Sequence, residues 1–188
     1  MKAVDLNLEE ELEIIRAAQH DLRHFEPLYH RYFDAIFRYI FRKTDDEEAT
    51  SDLTSRVFLN AMNSIHRYEY KGFGFGSWLY KIATNEVYRY YRDQKRGLLS
   101  LESDKVNQLM TCAELEDDEE KLNLLGKLVD KLKETEIRIL ELKYFENKSF
   151  EEIAFILDLK ESTVKMRLYR ALNKLKVKYE AYYKSAES

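Results

Sequence analysis

Residues 149–179 constrain the fold most strongly, because two helical patterns follow each other there with only a short break between them. Ser149 and Glu152 have the spacing of a capping box, in which the two side chains satisfy backbone N–H groups where a helix starts. Apolar residues recur at three- and four-residue steps on both sides of a break at 158–160, as in two amphipathic helices. They are Ile153, Ile156 and Leu157 before the break and Val164, Leu168, Ala171, Leu172 and Leu175 after it. The pattern predicts a helix-turn-helix.

The second helix of this motif is predicted to have a basic free face. Residues 160–178 hold seven Lys or Arg and a single acid, Glu161. Polar and basic residues are expected beside or opposite the apolar stripe, among them Ser162, Thr163, Lys165, Arg167 and Arg170. In a DNA-binding helix-turn-helix, the second helix lies in the major groove. A basic face is common on solvated helices, but together with the cap and the break it favours DNA binding.

Composition favours an all-α fold. The 188 residues include only five Gly and one Pro, and 45% are hydrophobic, so long helices around a core are expected rather than turn-rich sheets. The single Cys112 excludes an internal disulfide and a multi-cysteine zinc site. No apolar run resembles a signal peptide or reaches the length of a membrane span, so we expect a cytoplasmic protein without membrane insertion.

The first half of the chain is predicted to be a helical bundle. A short amphipathic helix is expected within residues 1–20, and an aromatic-rich stripe over 25–40 is wide enough to be interpreted as core. Acids at 45–48 suit the start of a further helix, which is predicted to run to about His66. The outward side of that helix carries Asp52, Ser55 and Arg56, which are compatible with either a solvated face or a docking face.

Residues 68–96 contain the second informative pattern. Three glycines alternate with Phe73 and Phe75 in a predicted loop over 68–77, where the rings either cap the core or stack on unpaired bases. A helix is predicted over 78–96. One of its sides mixes aromatic rings, an amide and cations, as nucleic-acid surfaces do. That side consists of Trp78, Lys81, Asn85, Tyr88, Arg89, Arg92, Lys95 and Arg96.

The charge distribution suggests two small helical domains joined by an acidic linker. The net charge is −4, but eight acids stand against two lysines within residues 102–121, so a positive local potential elsewhere remains compatible with nucleic-acid binding. We therefore predict a first domain at 1–97, an acidic linker at 98–118 and a second domain at 119–188. In the second domain, a helix is expected over 122–132, and Thr135 is expected to cap the next one.

Three blocks of residues together resemble the extracytoplasmic-function (ECF) group of bacterial sigma factors, within the sigma-70 family. The resemblance covers roughly residues 20–97 and 119–180. The blocks are Asp52-Leu53…Val57-Phe58, then Phe75-x-x-Trp78-Leu79-Tyr80-Lys81-Ile82-Ala83-x-Asn85, and finally Glu152-Ile153-Ala154…Leu157…Thr163-Val164-Lys165-x-Arg167-Leu168…Arg170-Ala171…Leu175. Their order and separations are far more specific than any one block.

The resemblance implies a division of roles between the two domains. The first would bind the β′ clamp of core RNA polymerase and open the minus-10 element, and the second would hold the β flap and read the minus-35 element. Core binding would fall to Asp52, Leu53, Ser55, Arg56 and Phe58. Minus-10 contacts would come from Phe73, Phe75, Trp78, Lys81, Asn85, Tyr88, Arg89 and Arg92, and minus-35 contacts from Ser162, Thr163, Lys165, Arg167 and Arg170. The family has no catalytic residues, cofactor or metal of its own, and an anti-sigma factor is a common further partner.

The sequence departs from the family pattern at four places. Ser55-Arg56 replaces the usual Gln-Glu, and Asp158 replaces a turn glycine, a change that the left-handed tolerance of Asp permits. Lys160 replaces a Ser-type N-cap, for which Ser162 is an alternative. Thr84 stands where Arg is common, which predicts the loss of one phosphate contact.

Two other functions remain open from the residues alone. A transcription regulator would use the helix-turn-helix on duplex DNA and the first half as a sensor or dimerisation module. A helical interaction protein would need no DNA at all. An enzyme is disfavoured, because the four His form no HExxH and no GxSxG or Walker motif occurs.

Overall fold

The structure is a computed structural model that describes residues 7–93 and 132–186, with side chains up to residue 177. The chain divides into two compact units, Met1–Leu98 and Leu99–Ser188. Within the described residues, every regular element is helical, which confirms the all-α prediction. The predicted acidic linker, Lys95, Arg96, Cys112 and all but the last residue of the predicted helix at 122–132 lie outside the described residues. The exact domain limits therefore stay predictions.

The described part of the first unit contains four α-helices. They are α1 (Leu8–His20), α2 (Glu26–Thr44), α3 (Glu47–Ser64) and α4 (Phe75–Asp93), with 3₁₀ turns at Leu22–Phe25 and Ile65–Arg67. Asn7 and Glu10 form a capping box at α1, and the Asp46 carboxylate accepts from Ala49 N at 3.0 Å at the start of α3. The acids at 45–48 therefore mark a helix start, as predicted.

The core of this unit lies between α2, α3 and α4. Apolar side chains from the facing sides of all three helices are buried there: Leu28, Ile36, Tyr39, Ile40, Leu53, Val57, Phe58, Phe75, Leu79, Ala83 and Val87. Each large apolar side chain that is removed from water contributes about 1.5–3 kcal/mol. This burial fixes which sides of α3 and α4 remain available to a partner.

Helix α4 begins three residues earlier than predicted, so the loop is 68–74 rather than 68–77. Phe75 is fully buried, and its burial draws the first turn of the helix back along the chain. The loop turns at Gly72, whose φ of +83° suits glycine. Gly76 lies so close to α2 that an added Cβ would stand 2.8 Å from Tyr32 Cε1.

The described part of the second unit contains α5 (Glu134–Tyr144), α6 (Phe150–Leu157) and α7 (Glu161–Ala186). The predicted capping box is present, with Glu152 N donating to Ser149 Oγ at 3.1 Å and Ser149 N donating to Glu152 at 2.9 Å. Asp158 adopts the left-handed conformation, at φ 53°, and ends α6. The helix-turn-helix is therefore formed over the predicted residues.

Two predicted caps are wrong. Helix α7 begins at Glu161, and Thr163 N and Val164 N both donate to Lys160 O, so Ser162 lies inside the first turn. Helix α5 begins at Glu134, before Thr135. Its start is stabilised by Lys133 N, which donates to the Glu136 carboxylate at 2.9 Å.

An ion pair connects α5 and α7, the first and last helices in the described part of the second unit. Lys174 Nζ of α7 lies 2.6 Å from Glu136 Oε1 of α5, and the Glu136 side chain is almost fully buried. Burial alone would raise the pKa of the Glu136 carboxyl, but the hydrogen bonds from Lys174 and Lys133 N hold that pKa below its usual range. A lowered folded-state pKa contributes stability above the unfolded pKa, which is about 4.3, and that stability is lost as pH falls through the folded value.

Replacing Ser149 by alanine should lower the free energy of unfolding by about 1 kcal/mol, because α6 then loses the acceptor for Glu152 N. Urea unfolding followed by circular dichroism measures the change. Ser162→Ala is the matched control, because that serine is exposed inside α7 and its loss should change stability by less than about 0.5 kcal/mol. An equal effect of both variants would contradict the assignment of the cap.

Lys174→Met should destabilise the contact between α5 and α7 by about 1–2 kcal/mol at pH 7, between the values for exposed and buried pairs. The difference from the unaltered chain should shrink as pH falls through the lowered pKa of Glu136, because protonation of this carboxyl removes the ion pair. Hydrogen exchange at the amides of α5 and α7 measures this difference in stability. Lys160→Met is the control, and a difference that stays constant from pH 7 to pH 3 would rule out the ion pair as its cause.

Candidate polymerase and nucleic-acid interfaces

The loop at 68–74 is an aromatic structure fixed at its base. The rings of Tyr68, Phe75 and Trp78 contact one another, with centroid distances of 5.4 Å (Tyr68–Phe75), 5.2 Å (Tyr68–Trp78) and 5.2 Å (Phe75–Trp78). Phe75 is buried completely, so its ring caps the core, which is the first of the two alternatives, and the minus-10 contact implied for its side chain is wrong. Phe73 and Trp78 are half-buried.

Tyr70 is the most exposed aromatic ring of this loop, at 43%. The sequence-based site did not include it, although an aromatic residue between Glu69 and Lys71 is a signal for a ring outside the core. The surface that the loop offers therefore consists of Tyr70, Phe73 and the edge of Trp78, supported from below by Phe75.

Helix α4 presents one polar and basic side to the surface. Asn85, Tyr88, Arg89 and Arg92 are exposed, and Lys81 is half-buried one turn before Asn85. These positions recur at three- and four-residue steps, so their side chains follow one another along one side of the helix. Cations, an amide and an aromatic ring are thereby brought together as the sequence predicted.

A buried acid lies beneath this side of α4. The Glu86 carboxylate accepts from Asn60 Nδ2 of α3 at 2.9 Å, and Arg89 Nη1 lies 3.3 Å from the same oxygen. Glu86 thereby connects α3 to α4 and holds Arg89 close to the helix surface. The sequence gives no signal for this contact, because Asn60 and Glu86 are 26 residues apart.

Thr84 belongs to the interior rather than to this surface. Its hydroxyl lies 2.9 Å from Tyr39 Oη and donates to Tyr80 O at 2.7 Å. Thr84 is buried, so its hydroxyl offers no contact to a phosphate, and the predicted loss of one phosphate contact relative to Arg stays a prediction.

The predicted docking residues of α3 fall on two sides of the helix. Asp52, Ser55 and Arg56 are exposed, and Arg56 Nη2 lies 3.2 Å from Asp52 Oδ2. Leu53 and Phe58 are buried, so neither presents its side chain to a partner, contrary to the prediction. Their contribution is to hold α3 against the core.

A row of partly exposed rings runs along α2 beside α3. Tyr29, Phe33, Phe37 and Phe41 follow at four-residue steps, with successive centroids 5.1, 5.8 and 6.4 Å apart. Tyr29 and Phe41 are 37% and 40% exposed, and the rings of Tyr29 and Phe33 contact Phe58 of α3. The interpretation of the whole aromatic stripe as core is therefore wrong along this edge. We refer to these four residues as the aromatic row.

Helix α7 presents the basic side that the sequence predicted. Ser162, Lys165 and Arg170 are exposed, and Thr163 and Arg167 are half-buried. Lys165 forms an ion pair with Glu161 one turn earlier, and its Nζ lies 5.3 Å from the centre of the Phe150 ring of α6. The hydrogen bond to Glu161 raises the pKa of Lys165, so this side chain is a cation at neutral pH.

Two apolar side chains also stand on this side of α7. Tyr169 is 62% exposed, and Met166 is exposed as well. Neither was in the predicted site, although both lie opposite the buried stripe of Val164, Leu168 and Ala171. Their position beside Lys165 and Arg170 makes them candidate contact residues.

Neither a metal site nor a membrane-spanning helix is found in the described part of the chain. No group of three or more His, Cys, Asp or Glu side chains within it could hold a metal ion. No helix within it is long and apolar enough to cross a membrane.

Comparison with known proteins gives matches in both units. Residues 28–97 match the model for sigma-70 region 2, and residues 122–175 match the model for sigma-70 region 4. The RNA polymerase sigma factor YlaC of Bacillus subtilis is 31% identical over 158 residues, covering 80% of this chain and 89% of that protein. The ECF RNA polymerase sigma factor BldN of Streptomyces coelicolor is 27% identical over 181 residues, covering 92% of this chain and 67% of that protein.

Solved structures share the fold. A structure of CnrH in complex with the cytosolic domain of CnrY has a TM-score of 0.62 at 21% identity, covering 91% of this chain and 97% of that one. The sigma factor RpoE in complex with the anti-sigma factor NepR, from Bartonella quintana, has a TM-score of 0.56 at 18% identity, covering 83% and 96%. The two matched regions and the sequence similarity to YlaC and BldN establish that the chain belongs to the sigma-70 family of RNA polymerase sigma factors, in its ECF group.

Proposed function

We propose that the two units divide the work of a sigma factor, the first opening the minus-10 element and the second reading the minus-35 element. As an ECF sigma factor, the chain binds RNA polymerase and directs promoter-specific transcription initiation. The observation that carries the division is the exposed side of α4, where Asn85, Tyr88 and Arg92 adjoin an aromatic loop. A sensor or dimerisation module does not need such a surface, and the region 2 match over 28–97 speaks against that alternative.

Strand opening is proposed for the α4 side together with the loop. Exposing a stacked base costs a few kcal/mol, and stacking on an aromatic ring returns about 1–3 kcal/mol per base. Tyr70 and Phe73 are placed to stack on a base that has left the duplex. Arg89 and Arg92 would hold the phosphates of the same strand, and Asn85 would bond a base edge.

Recognition of the minus-35 element is proposed for α7. Lys165 and Arg170 are exposed cations on the second helix of a helix-turn-helix, the element that enters the major groove. Ser162 and Thr163 at the start of the helix would contact phosphates, and Arg167 would contact phosphates or bases. Met166 and Tyr169 add apolar surface of the kind that contacts a thymine methyl group.

Attachment to polymerase is proposed for the surface formed by the aromatic row of α2 and the exposed Asp52, Ser55 and Arg56 of α3. Aromatic rings next to charged groups are typical of the centre and rim of protein interfaces. An anti-sigma factor is a further proposed partner, because the related RpoE is found in complex with one. Sigma factors are non-enzymatic initiation factors, and we assign no catalytic residue.

Lys165→Ala and Arg170→Ala should each lower transcription by about tenfold from a promoter that the unaltered chain uses, because a base-edge contact contributes about 1–3 kcal/mol. Run-off transcription with purified core polymerase measures this change. Lys176→Ala is the control, because it lies eleven residues beyond Lys165, about 16 Å along the helix. Unchanged promoter selection in both variants would contradict the proposed reading surface. No selective transcript from the unaltered chain would contradict the function itself.

Asn85→Ala and Tyr88→Ala should impair opening more than attachment to duplex promoter DNA. Each should reduce the permanganate reactivity of minus-10 thymines by about tenfold, because a stacking or base-edge contact is worth about 1–3 kcal/mol. Retention of the holoenzyme on the duplex, measured in parallel, should change little. Asn63→Ala makes the same change at an exposed site on α3 and should leave opening intact. Equal losses in retention and opening would argue against a role in opening.

A further inference from the structure

Side chains of helix α1 form hydrogen bonds with the backbone at both ends of the loop at 68–74. At the entry to the loop, Gln19 Nε2 donates to Ile65 O at 3.1 Å and to Tyr68 O at 2.9 Å. At the exit, Phe75 N donates to the Glu11 carboxylate at 3.2 Å. Glu11 and Gln19 are eight residues apart, so they lie about 80° apart around α1 and roughly 12 Å apart along its axis. One rigid helix thereby spans the two anchors of the loop.

The anchor at Glu11 is held in place by several groups. Glu11 is only 4% exposed, and its carboxylate accepts a hydrogen bond from Tyr32 Oη of α2. Arg31 Nε lies 3.5 Å from Oε1 of the same carboxylate. Burial and the contact with Glu11 hold the pKa of Tyr32 well above its usual range, so this phenol remains a neutral donor. A carboxylate also suits the N-terminal end of α4, where backbone N–H groups concentrate positive charge.

This arrangement lies outside the part of the chain that matches the family model. The region 2 match begins at residue 28, whereas α1 ends at His20. The two bonded residues are not required to fill the core, which α1 reaches through Ile15 and Ala18. Buried polar contacts at defined distances add geometric specificity to that apolar packing.

We propose that α1 is a positioning helix for the loop, with Glu11 and Gln19 as its two positioning residues. They fix the distance between the loop's ends and thereby the place of Tyr70 and Phe73 relative to the exposed side of α4. The inference rests on the proposed role of the loop in capturing a minus-10 base. A loop already held in its binding conformation loses less entropy when the base enters, which favours opening.

The chain contains a single tryptophan, and it reports on this loop. Trp78 contacts the rings of Tyr68, the first residue of the loop, and Phe75, the residue that follows the loop. Its fluorescence therefore responds to displacement of the loop's ends in the protein alone, without DNA or polymerase. This gives a measurement that is independent of the loop's function.

The experiment compares Glu11→Ala and Gln19→Leu with three controls in the full chain. Glu11→Gln keeps an acceptor for Phe75 N, Glu13→Ala changes an exposed acid on the same helix, and Ile15→Val weakens α1 packing without touching the polar anchors. Trp78 emission, Tm, holoenzyme formation and permanganate reactivity on duplex promoter DNA are measured for each. Run-off transcription is also measured on a template whose minus-10 element is already unpaired.

Glu11→Ala and Gln19→Leu should shift Trp78 emission and slow duplex opening by about tenfold, the equivalent of one lost buried hydrogen bond. Transcription from the unpaired template should fall by less than about twofold, because the opening step is bypassed. Glu11→Gln should recover most of the opening, Glu13→Ala should match the unaltered chain, and Ile15→Val should lower Tm without an opening defect. This set of results would support positioning by α1.

Three outcomes would overturn the inference. Unchanged Trp78 emission and opening in both α1 variants would show that the anchors do not position the loop. An equal opening defect in Ile15→Val would show that α1 acts through stability alone. Phe73→Ala tests the role of the loop separately from its positioning by α1. If it impairs opening and the α1 variants do not, only this inference fails, whereas normal opening in Phe73→Ala refutes the loop's role and the inference with it.

Discussion

The burial of Phe75 is the contact on which the arrangement of the first unit depends. Its ring lies 6.1 Å from Phe25, 5.8 Å from Tyr32 and 5.2 Å from Trp78, so three segments meet at the start of α4. Side chains follow a helix at fixed angular steps, and fixing the first turn therefore fixes which side of α4 faces outward. The exposed Asn85 and Arg92 are thus a consequence of core packing near the loop, ten and more residues earlier.

In the second unit, local backbone interactions determine which side of α7 faces outward. Ser149 starts α6, left-handed Asp158 ends it, and α7 begins three residues later. Burial of Val164, Leu168 and Ala171 then turns the basic side of α7 outward. The chain as a whole carries a net charge of −4, yet both exposed helix sides are cationic. Affinity for DNA depends on this local separation of charge rather than on the total.

The sequence was most informative where structure depends on neighbours within a few residues, and least where it depends on distant ones. The capping box, the break at 158–160 and the exposed side of α4 follow from short-range spacing. Short-range spacing did not predict the burial of Phe75 and Thr84 or the exposure of the outer edge of α2. Each of these depends on which residues pack against it from another helix. Helices α1, α3 and α4 all pack against α2, but they leave the outer edge of its aromatic stripe at the surface.

Exposure of the aromatic row to water costs free energy, and this cost supports a role for the row in binding a partner. Each exposed ring forfeits part of the free energy that burial would provide, and the contacts between successive rings recover only some of it. The same contacts restrict the rings before any partner arrives, and an aromatic side chain has only two rotatable bonds to immobilise. Binding of a partner to the row would therefore bury apolar area at a low entropic penalty. Since the row belongs to α2 and the cationic side to α4, polymerase and promoter DNA would engage different residues of the same unit.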